Sequence, residues 1–305
     1  MILGVSINVR ETMQKINIKG KILFDVPLKD HTTLKAGGPA DIYAVPEDVY
    51  DLMLMMKALT ECSISYYPLG AGSNVLVTDS GFRGCIIDMS RFQNISVRGL
   101  YICAGAGIRL ERIIREAASR GLTGVEHLSG IPGTFGGAVV CNAGSFGQDI
   151  SASLEWADYF DSAGNLHRFH RGESPFSYRH SPFHSGEVII EAAVRLGIGS
   201  SAEIHSRISR ARNEREKRGH YSHPSAGSVF KNPPGFEISA GQLADQVGLK
   251  GFRINDAMVS EKHGNIVVNT GHASSSDISR VISVMHQRIL EETGIDLERE
   301  IIYLG

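Results

Sequence analysis

A chain of 305 residues exceeds the size at which single hydrophobic cores stop growing, and its 42% hydrophobic content is enough to build two or three of them. Its 31 Lys and Arg against 33 Asp and Glu leave a net charge of −2, which gives no general field for nucleic acid or an anionic membrane, so any anion has to be bound locally. The four cysteines, Cys62, Cys85, Cys103 and Cys141, form no C-x-x-C pair and sit in apolar or Gly-rich settings that read as reduced, buried thiols, which fits a cytoplasmic protein.

The N-terminal MILGVSINVR is only briefly apolar, carries its first cation after that run and lacks an A-x-A cleavage pattern, so it reads as no signal peptide. No run approaches the roughly 18 apolar residues of a membrane span. DIYAV at 41–45 reads as a strand, and Asp48 to Leu59 as a helix, with Val49, Leu52, Met53, Met56 and Leu59 in an inward stripe after Pro46. Strand-like runs follow at 63–67, 74–77, 85–88 and 101–105. A second helix spans about Arg109 to Ser119, with Leu110, Ile113, Ile114 and Ala117 on one face and Gly121 past its end. VIIEAAVRL at 188–196 is the last strand before the texture changes near residue 200. Beyond it come a charged helix stopped by Gly219, a strand at 265–269 and a serine-capped helix with Ile278, Val281, Ile282, Met285 and Ile289 inward.

Two glycine-rich segments interrupt the first part. PLGAGSNVLVTDSGF (68–82) has Val75 where a third glycine would complete G-x-G-x-x-G, and strand rather than helix follows, which excludes a Rossmann loop. SGIPGTFGGAVVCNAG (129–144) has no G-K-[ST], which excludes a Walker loop. Adjacent glycines expose successive backbone N–H groups that suit phosphate oxygens and let a backbone approach a flat ring. Two such loops with little positive charge suggest a diphosphate held by main-chain donors; tight turns in a sheet-rich domain are the plainer alternative. In the second part, PSAGSVFKNP (Pro224 to Pro233) places Ser228, Lys231 and Asn232 on a short turn between Gly227 and Pro233. That pattern reads either as a held polar site or as an ordinary surface loop. His180 and His184 have i, i+4 spacing, but Pro182 breaks the helix that would converge them, so no metal site is read.

The blocks PLGAGSNVLV, LSGIPGTFGGAVVCNAGSFG, SYRHS, PSAGSVFKNP, AGQLADQVGLKGFR with AMVSEKHGNIVVN, and LEREIIYLG resemble, in order, those of the UDP-N-acetylenolpyruvylglucosamine reductase (MurB) family. The resemblance covers roughly residues 30 to 304. With no long insertion between Arg179 and Ser201, the chain is similar to the family's shorter type, which lacks a tyrosine-bearing loop. It departs at Cys141, where Met is common, at Met258, where Gln is common, and in the GHYSHP lead-in. The implied fold is α+β: an FAD-binding module of the vanillyl-alcohol-oxidase (PCMH) type plus a C-terminal α+β substrate-binding domain. The implied boundaries are 1–200 for the FAD domain, in two α+β subdomains of about 1–88 and 89–200, then 201–297 for the substrate domain. Residues 298–305 would be a final strand returning to the FAD module.

The implied activity is NADPH-dependent, FAD-mediated reduction of UDP-N-acetylglucosamine enolpyruvate to UDP-N-acetylmuramate in peptidoglycan precursor synthesis. FAD would be non-covalent and NADPH a co-substrate, with no nucleic acid, membrane or obligatory protein partner. By resemblance, Arg179 is the cation holding the carboxylate and developing enolate, Ser228 the proton donor, and Glu300 the acid that works with the arginine. Lys231 is the cation the sequence offers to support a serine alkoxide. FAD contacts are expected from Pro68, Leu69, Gly70, Ala71, Gly72, Ser73 and Asn74, and from Gly130, Ile131, Pro132, Gly133, Gly136, Gly137 and Ala138. Substrate contacts are expected from Tyr178, Lys217, Arg218, Lys231, Asn232, Lys262 and His263. Two competing readings stand beside this one: another flavoprotein on the same module, such as an oxidase of small alcohols, and a non-catalytic nucleotide-sugar binder.

Overall fold

The structure, a computed structural model, describes residues 7–183, 186–235 and 238–305. Two compact units emerge, each discontinuous in sequence. The first takes in the chain up to Val26, Asp41–Ala71 and Arg83–Arg212; the second takes in Pro27–Ala40, Gly72–Phe82 and Asn213–Gly305. The division falls inside the helix Ser201–Lys217, whose only buried residues are Ile204 and Ala211. A helix this polar has no apolar stripe to commit all of it to one core. Its first turns are tied to the first unit by ion pairs from Arg207 to Glu126 and from Arg212 to Glu111. The segments 27–40 and 72–82 group with the C-terminal residues rather than with the strands around them in sequence.

Two of the sheets in the first unit are large. One is four-stranded, in the order Lys21–Pro27, Pro39–Val45, Phe82–Asp88, Tyr66–Leu69; the other is five-stranded, in the order Leu166–His170, Leu154–Phe160, Val188–Arg195, Tyr101–Gly105, Ile95–Arg98. The helix Val49–Glu61 starts where the Asp48 carboxylate accepts the Asp51 N–H. Its buried face is Leu52, Met55, Met56, Ala58 and Leu59, while Val49 and Met53 are each 40% exposed, so the stripe is rotated from the expected one. Leu110–Ser119 forms as expected, and Gly121 past its end takes φ +67. The strand expected at 63–67 forms instead at Tyr66–Leu69, because Ser63 takes φ +52 and the Ser63 and Ile64 N–H groups close the preceding helix on Thr60 and Leu59.

In the second unit a four-stranded antiparallel sheet runs Ser225–Ser228, Ile266–Asn269, Ala257–Val259, Arg253–Ile254. The helix Ser275–Thr293 packs on it with Ile278, Val281, Ile282, Met285 and Ile289 all fully buried. Burying each such side chain contributes about 1.5–3 kcal/mol. The last strand, Ile302–Leu304, pairs in parallel with Val75–Val77, and both belong to this unit. None of the four cysteines forms a disulfide, but only Cys85 is buried; Cys62, Cys103 and Cys141 are partly exposed, against the expectation of four buried thiols. No described helix is long and apolar enough to cross a membrane.

Candidate active site

In the first unit the two glycine segments meet. A Cβ on Gly70 would lie 2.3 Å from Thr134 Oγ1, so only glycine lets the end of strand Tyr66–Leu69 come this close to the second loop. Gly136 is as tightly placed, donating its N–H to Ala106 O at 2.9 Å, where a Cβ would lie 2.6 Å from Ala106 Cβ. Among the described residues the N–H groups of Gly70 and Ala71 find no acceptor. Gly130 takes φ +80, and Gly137 is exposed with a long 3.4 Å bond to Thr134 Oγ1. Open main-chain donors and a surface without side chains fit the flat ring and diphosphate expected there, with Pro68, Leu69, Ile131, Pro132, Gly133 and Ala138 framing the loops.

Arg179 lies in the same unit, at the tip of a two-residue turn closed by paired bonds between Ser177 and His180. Its backbone is left-handed at φ +54, rare for a residue with a side chain. Four contacts hold it there. Asn142, fully buried, donates from Nδ2 to Ser177 O at 2.8 Å. Ser181 Oγ donates to Val140 O at 2.6 Å. The guanidinium donates to Gly144 O at 3.0 Å and lies 4.9 Å over the Tyr178 ring, which is 49% exposed. The turn is therefore anchored to the segment just after the second glycine loop. His184, the other half of the excluded histidine pair, lies outside the described residues. Among the described residues no group of three or more His, Cys, Asp or Glu could hold a metal.

In the second unit, Ser228 ends the strand Ser225–Ser228 opposite Ile266, after a register shift at Gly227, which takes φ +75. Immediately beyond it, Val229 O accepts the N–H of Glu300 at 2.8 Å, and Lys231 N–H donates to Glu298 O at 2.8 Å. Ser228 and Glu300 are thereby brought onto neighbouring paired segments. Asn74 fixes the far side of Glu300, donating from Nδ2 to its carbonyl at 3.2 Å and accepting the Ile302 N–H at 3.0 Å. Gly72, at φ +62, is locked against residues 31–33, where a Cβ would lie 2.2 Å from His31 O; among the described residues the Gly72 and Ser73 N–H groups find no acceptor.

The expected substrate contacts in this unit divide. Lys231, 22% exposed, holds Glu298 at 2.6 Å, so the cation nearest Ser228 in sequence is already matched by a carboxylate. Asn232 accepts the Ala240 N–H at 3.1 Å and starts the next helix. Lys217 and Arg218 are exposed, with Arg218 paired to Glu214. Lys262 packs against Gly219, and His263 meets His220 edge-on at 5.3 Å. Burial first, and then Arg215, pull His220 down to about 4; burial first, and then Arg218, do the same to His263. Both rings are therefore neutral at pH 7. The groups missed by sequence reading are the asparagines behind the candidate residues. Asn142 stands in the quoted CNAG block and Asn265 in the quoted NIVVN strand, and only their burial and bonds mark them.

Residues 40–170 match the FAD binding domain family, and residues 219–304 match the family UDP-N-acetylenolpyruvoylglucosamine reductase, C-terminal domain. A UDP-N-acetylenolpyruvoylglucosamine reductase of Pelobacter propionicus is 38% identical over 291 residues, 95% of this chain and 98% of the relative. One from Caldanaerobacter subterraneus subsp. tengcongensis is 37% identical over 296 residues, 97% of each. Among solved structures, the UDP-N-acetylenolpyruvylglucosamine reductase from Thermus caldophilus aligns at TM-score 0.80 and 35% identity, over 95% of this chain and all of that one. A Physcomitrella patens BBE-like 1 variant aligns at TM-score 0.51 and 14% identity over 62% of this chain and 44% of its own, a likeness of fold alone.

Proposed function

Because this chain belongs to the UDP-N-acetylenolpyruvoylglucosamine reductases, we propose that Arg179, Ser228 and Glu300 carry its chemistry. The enzyme is a flavin-dependent oxidoreductase that reduces UDP-N-acetylglucosamine enolpyruvate to UDP-N-acetylmuramate with NADPH, in peptidoglycan precursor synthesis. FAD supplies the hydride chemistry, accepting from NADPH and donating to the enolpyruvyl β-carbon. The loops 68–74 and 130–138 would hold it non-covalently through main-chain donors.

Hydride arrival at the β-carbon places negative charge on the α-carbon and its carboxylate. Arg179 answers that charge with a planar fork matched to a carboxylate, and Ser228 delivers the proton to the α-carbon. Serine is a weak acid, so its hydroxyl has to be aimed before it can serve. Glu300 acts at the same enol with the arginine. The observation that carries this reading is the shared anchor of Ser228 and Glu300: the residue that follows the serine accepts the N–H of the glutamate. Lys217, Arg218, Asn232, Tyr178, Lys262 and His263 remain the proposed contacts to the substrate. We place the reaction in the cytoplasm, because both reactants are charged phosphate-bearing molecules that do not cross bilayers unaided; the net charge of −2 favours no nucleic-acid or membrane partner.

The purified protein should be yellow and should oxidise NADPH far faster with UDP-N-acetylglucosamine enolpyruvate than with oxygen alone. Denaturation should release the colour into the supernatant. A colourless chain that FAD does not reconstitute would remove the reading, and rapid oxidation by oxygen with no response to the enolpyruvyl substrate would favour an oxidase.

A further inference from the structure

The Ser228 hydroxyl hangs from backbone that its own sheet holds poorly. The register shift between Ser225 and Ser228 disrupts the ladder at the residue that has to be aimed, and the chain leaves the sheet directly afterwards. One side chain takes over where the ladder stops. Asn265 accepts the Val229 N–H on its own carbonyl at 2.9 Å. Its carboxamide then accepts the Phe230 N–H at 3.0 Å and donates to the Phe230 carbonyl at 2.8 Å, reproducing in side-chain atoms the pair of bonds a strand would give. Asn265 is 3% exposed and Phe230 1% exposed, so water offers no substitute for either bond.

The opposite edge of the same two residues carries the candidate glutamate. Val229 O accepts the Glu300 N–H, and Phe230 forms a bridge with Arg299. Val229 and Phe230 are thus a two-residue rail with Asn265 on one side and Glu300 on the other. Asn265 is itself fixed, since its N–H donates to His263 Nδ1 at 3.2 Å, which defines that nitrogen as an acceptor.

We propose that Asn265 is a positioning residue for the proton transfer: its carboxamide, carried on a backbone braced by His263, fixes the Val229–Phe230 rail and so aims the Ser228 hydroxyl and keeps Glu300 in register with it. Asn265 touches neither reactant and acts through the backbone. The proposal rests on the reading of Ser228 as proton donor. His263 thereby serves as a brace for Asn265 through Nδ1.

The test uses the flavin-loaded enzyme and separates its two half-reactions, with Asn265→Ala and Asn265→Asp each made alone and on a Ser228→Ala background. Asp keeps the acceptor for Phe230 N–H and loses the donor to its carbonyl, so it asks the same question if Ala does not fold. Either single variant should slow flavin reoxidation by the enolpyruvyl substrate by about 10- to 100-fold while NADPH reduces the flavin within about 2-fold of the wild-type rate. On the Ser228→Ala background the further loss should be under about 2-fold, because a serine that is absent cannot be misaimed. A readout independent of turnover is amide exchange, which should accelerate at Val229 and Phe230 in the variants. The proposal is overturned if the Asn265 variants slow both half-reactions alike, if they slow reoxidation equally with and without Ser228, or if exchange at these amides is unchanged. Failure of the serine reading looks different, because Ser228→Ala alone would then leave reoxidation at its wild-type rate.

Discussion

Arg179 and Ser228 are delivered by opposite means. The arginine stands at a turn tip and bears the left-handed conformation in its own backbone, φ +54, a state that costs about 1–2 kcal/mol for a residue with a Cβ. For the serine the same kind of conformation is displaced onto its neighbour, Gly227 at φ +75, so Ser228 itself stays extended in a strand. The strained turn therefore depends on bonds to a distant segment, Asn142 to Ser177 O and Ser181 to Val140 O, to persist. The strand depends on a glycine and on Asn265. Chemistry at the arginine should be sensitive to the scaffold around it, and chemistry at the serine to the hydroxyl itself.

The largest expected effect follows from that difference. Ser228→Ala removes the proposed proton donor without disturbing a partner that the fold needs, so it should slow flavin reoxidation by about 10²-fold or more and leave reduction by NADPH near wild type. Stopped-flow absorbance of each half-reaction reads both rates. Equal slowing of the two would make Ser228 a structural residue and erase the contrast.

Asn142→Ala should act on the other side, mainly through stability. It would leave the Ser177 carbonyl and the Ser151 N–H without their buried partner, at a cost of about 1–3 kcal/mol. Urea unfolding should show the loss, and kcat/KM should fall with it as Arg179 leaves its turn. A variant of unchanged stability would mean that the turn holds its strained form without help.

Gly227→Ala is a smaller and cleaner perturbation, because a Cβ there meets nothing within 4 Å and only the positive φ opposes it. A loss of about 1–2 kcal/mol in the same unfolding experiment is expected. A neutral result would show that the register shift relaxes at no cost, and that Gly227 is not where the strain was placed.

Much of this was legible in the sequence, and the illegible part has a common cause. The helix 275–293 announced its buried face through Ile278, Val281, Ile282, Met285 and Ile289, since a long amphipathic period survives any tertiary context. The helix at 49–61 was placed correctly and Leu52, Met56 and Leu59 do face inward, but Val49 and Met53 do not, because Met53 and Met55 are equally apolar and only packing chooses between them. The motif residues Arg179, Ser228 and Glu300 stood out by resemblance. Their supports did not: Asn142 and Asn265 are polar residues whose role comes from burial and from partners 35 positions away, which no local pattern encodes. The Lys231–Glu298 pair was equally hidden, and it changes what the lysine can offer the serine. The composition of the two units escaped for the same reason, since 72–82 joins the C-terminal residues through a parallel pairing with 302–304.

The shallowest effect concerns acid. In the second unit His220 and His263 face one another with folded values near 4, against 6.5 for a free imidazole. Arg215 and Arg218 oppose protonation of the first, and Arg218 and Lys250 that of the second, with Asp245 a weaker favourable charge. Between those two pH values the unfolded chain binds protons that the folded chain refuses, so stability is complete above about 6.5 and falls as the pH drops towards 4. Below 4 these groups add no further dependence. Both rings are partly exposed, so water screens much of the penalty and the slope should be gentle. His127 in the first unit, 8% exposed and also lowered by burial, pushes the same way, so the pH profile alone does not say which unit yields. His220→Phe separates them: it keeps an aromatic edge against His263 and removes one titrating group. The melting temperature of the variant should fall less between pH 6.5 and 4 than that of the wild type. An identical fall in both proteins would take His220 out of the acid sensitivity and leave it with a packing role alone.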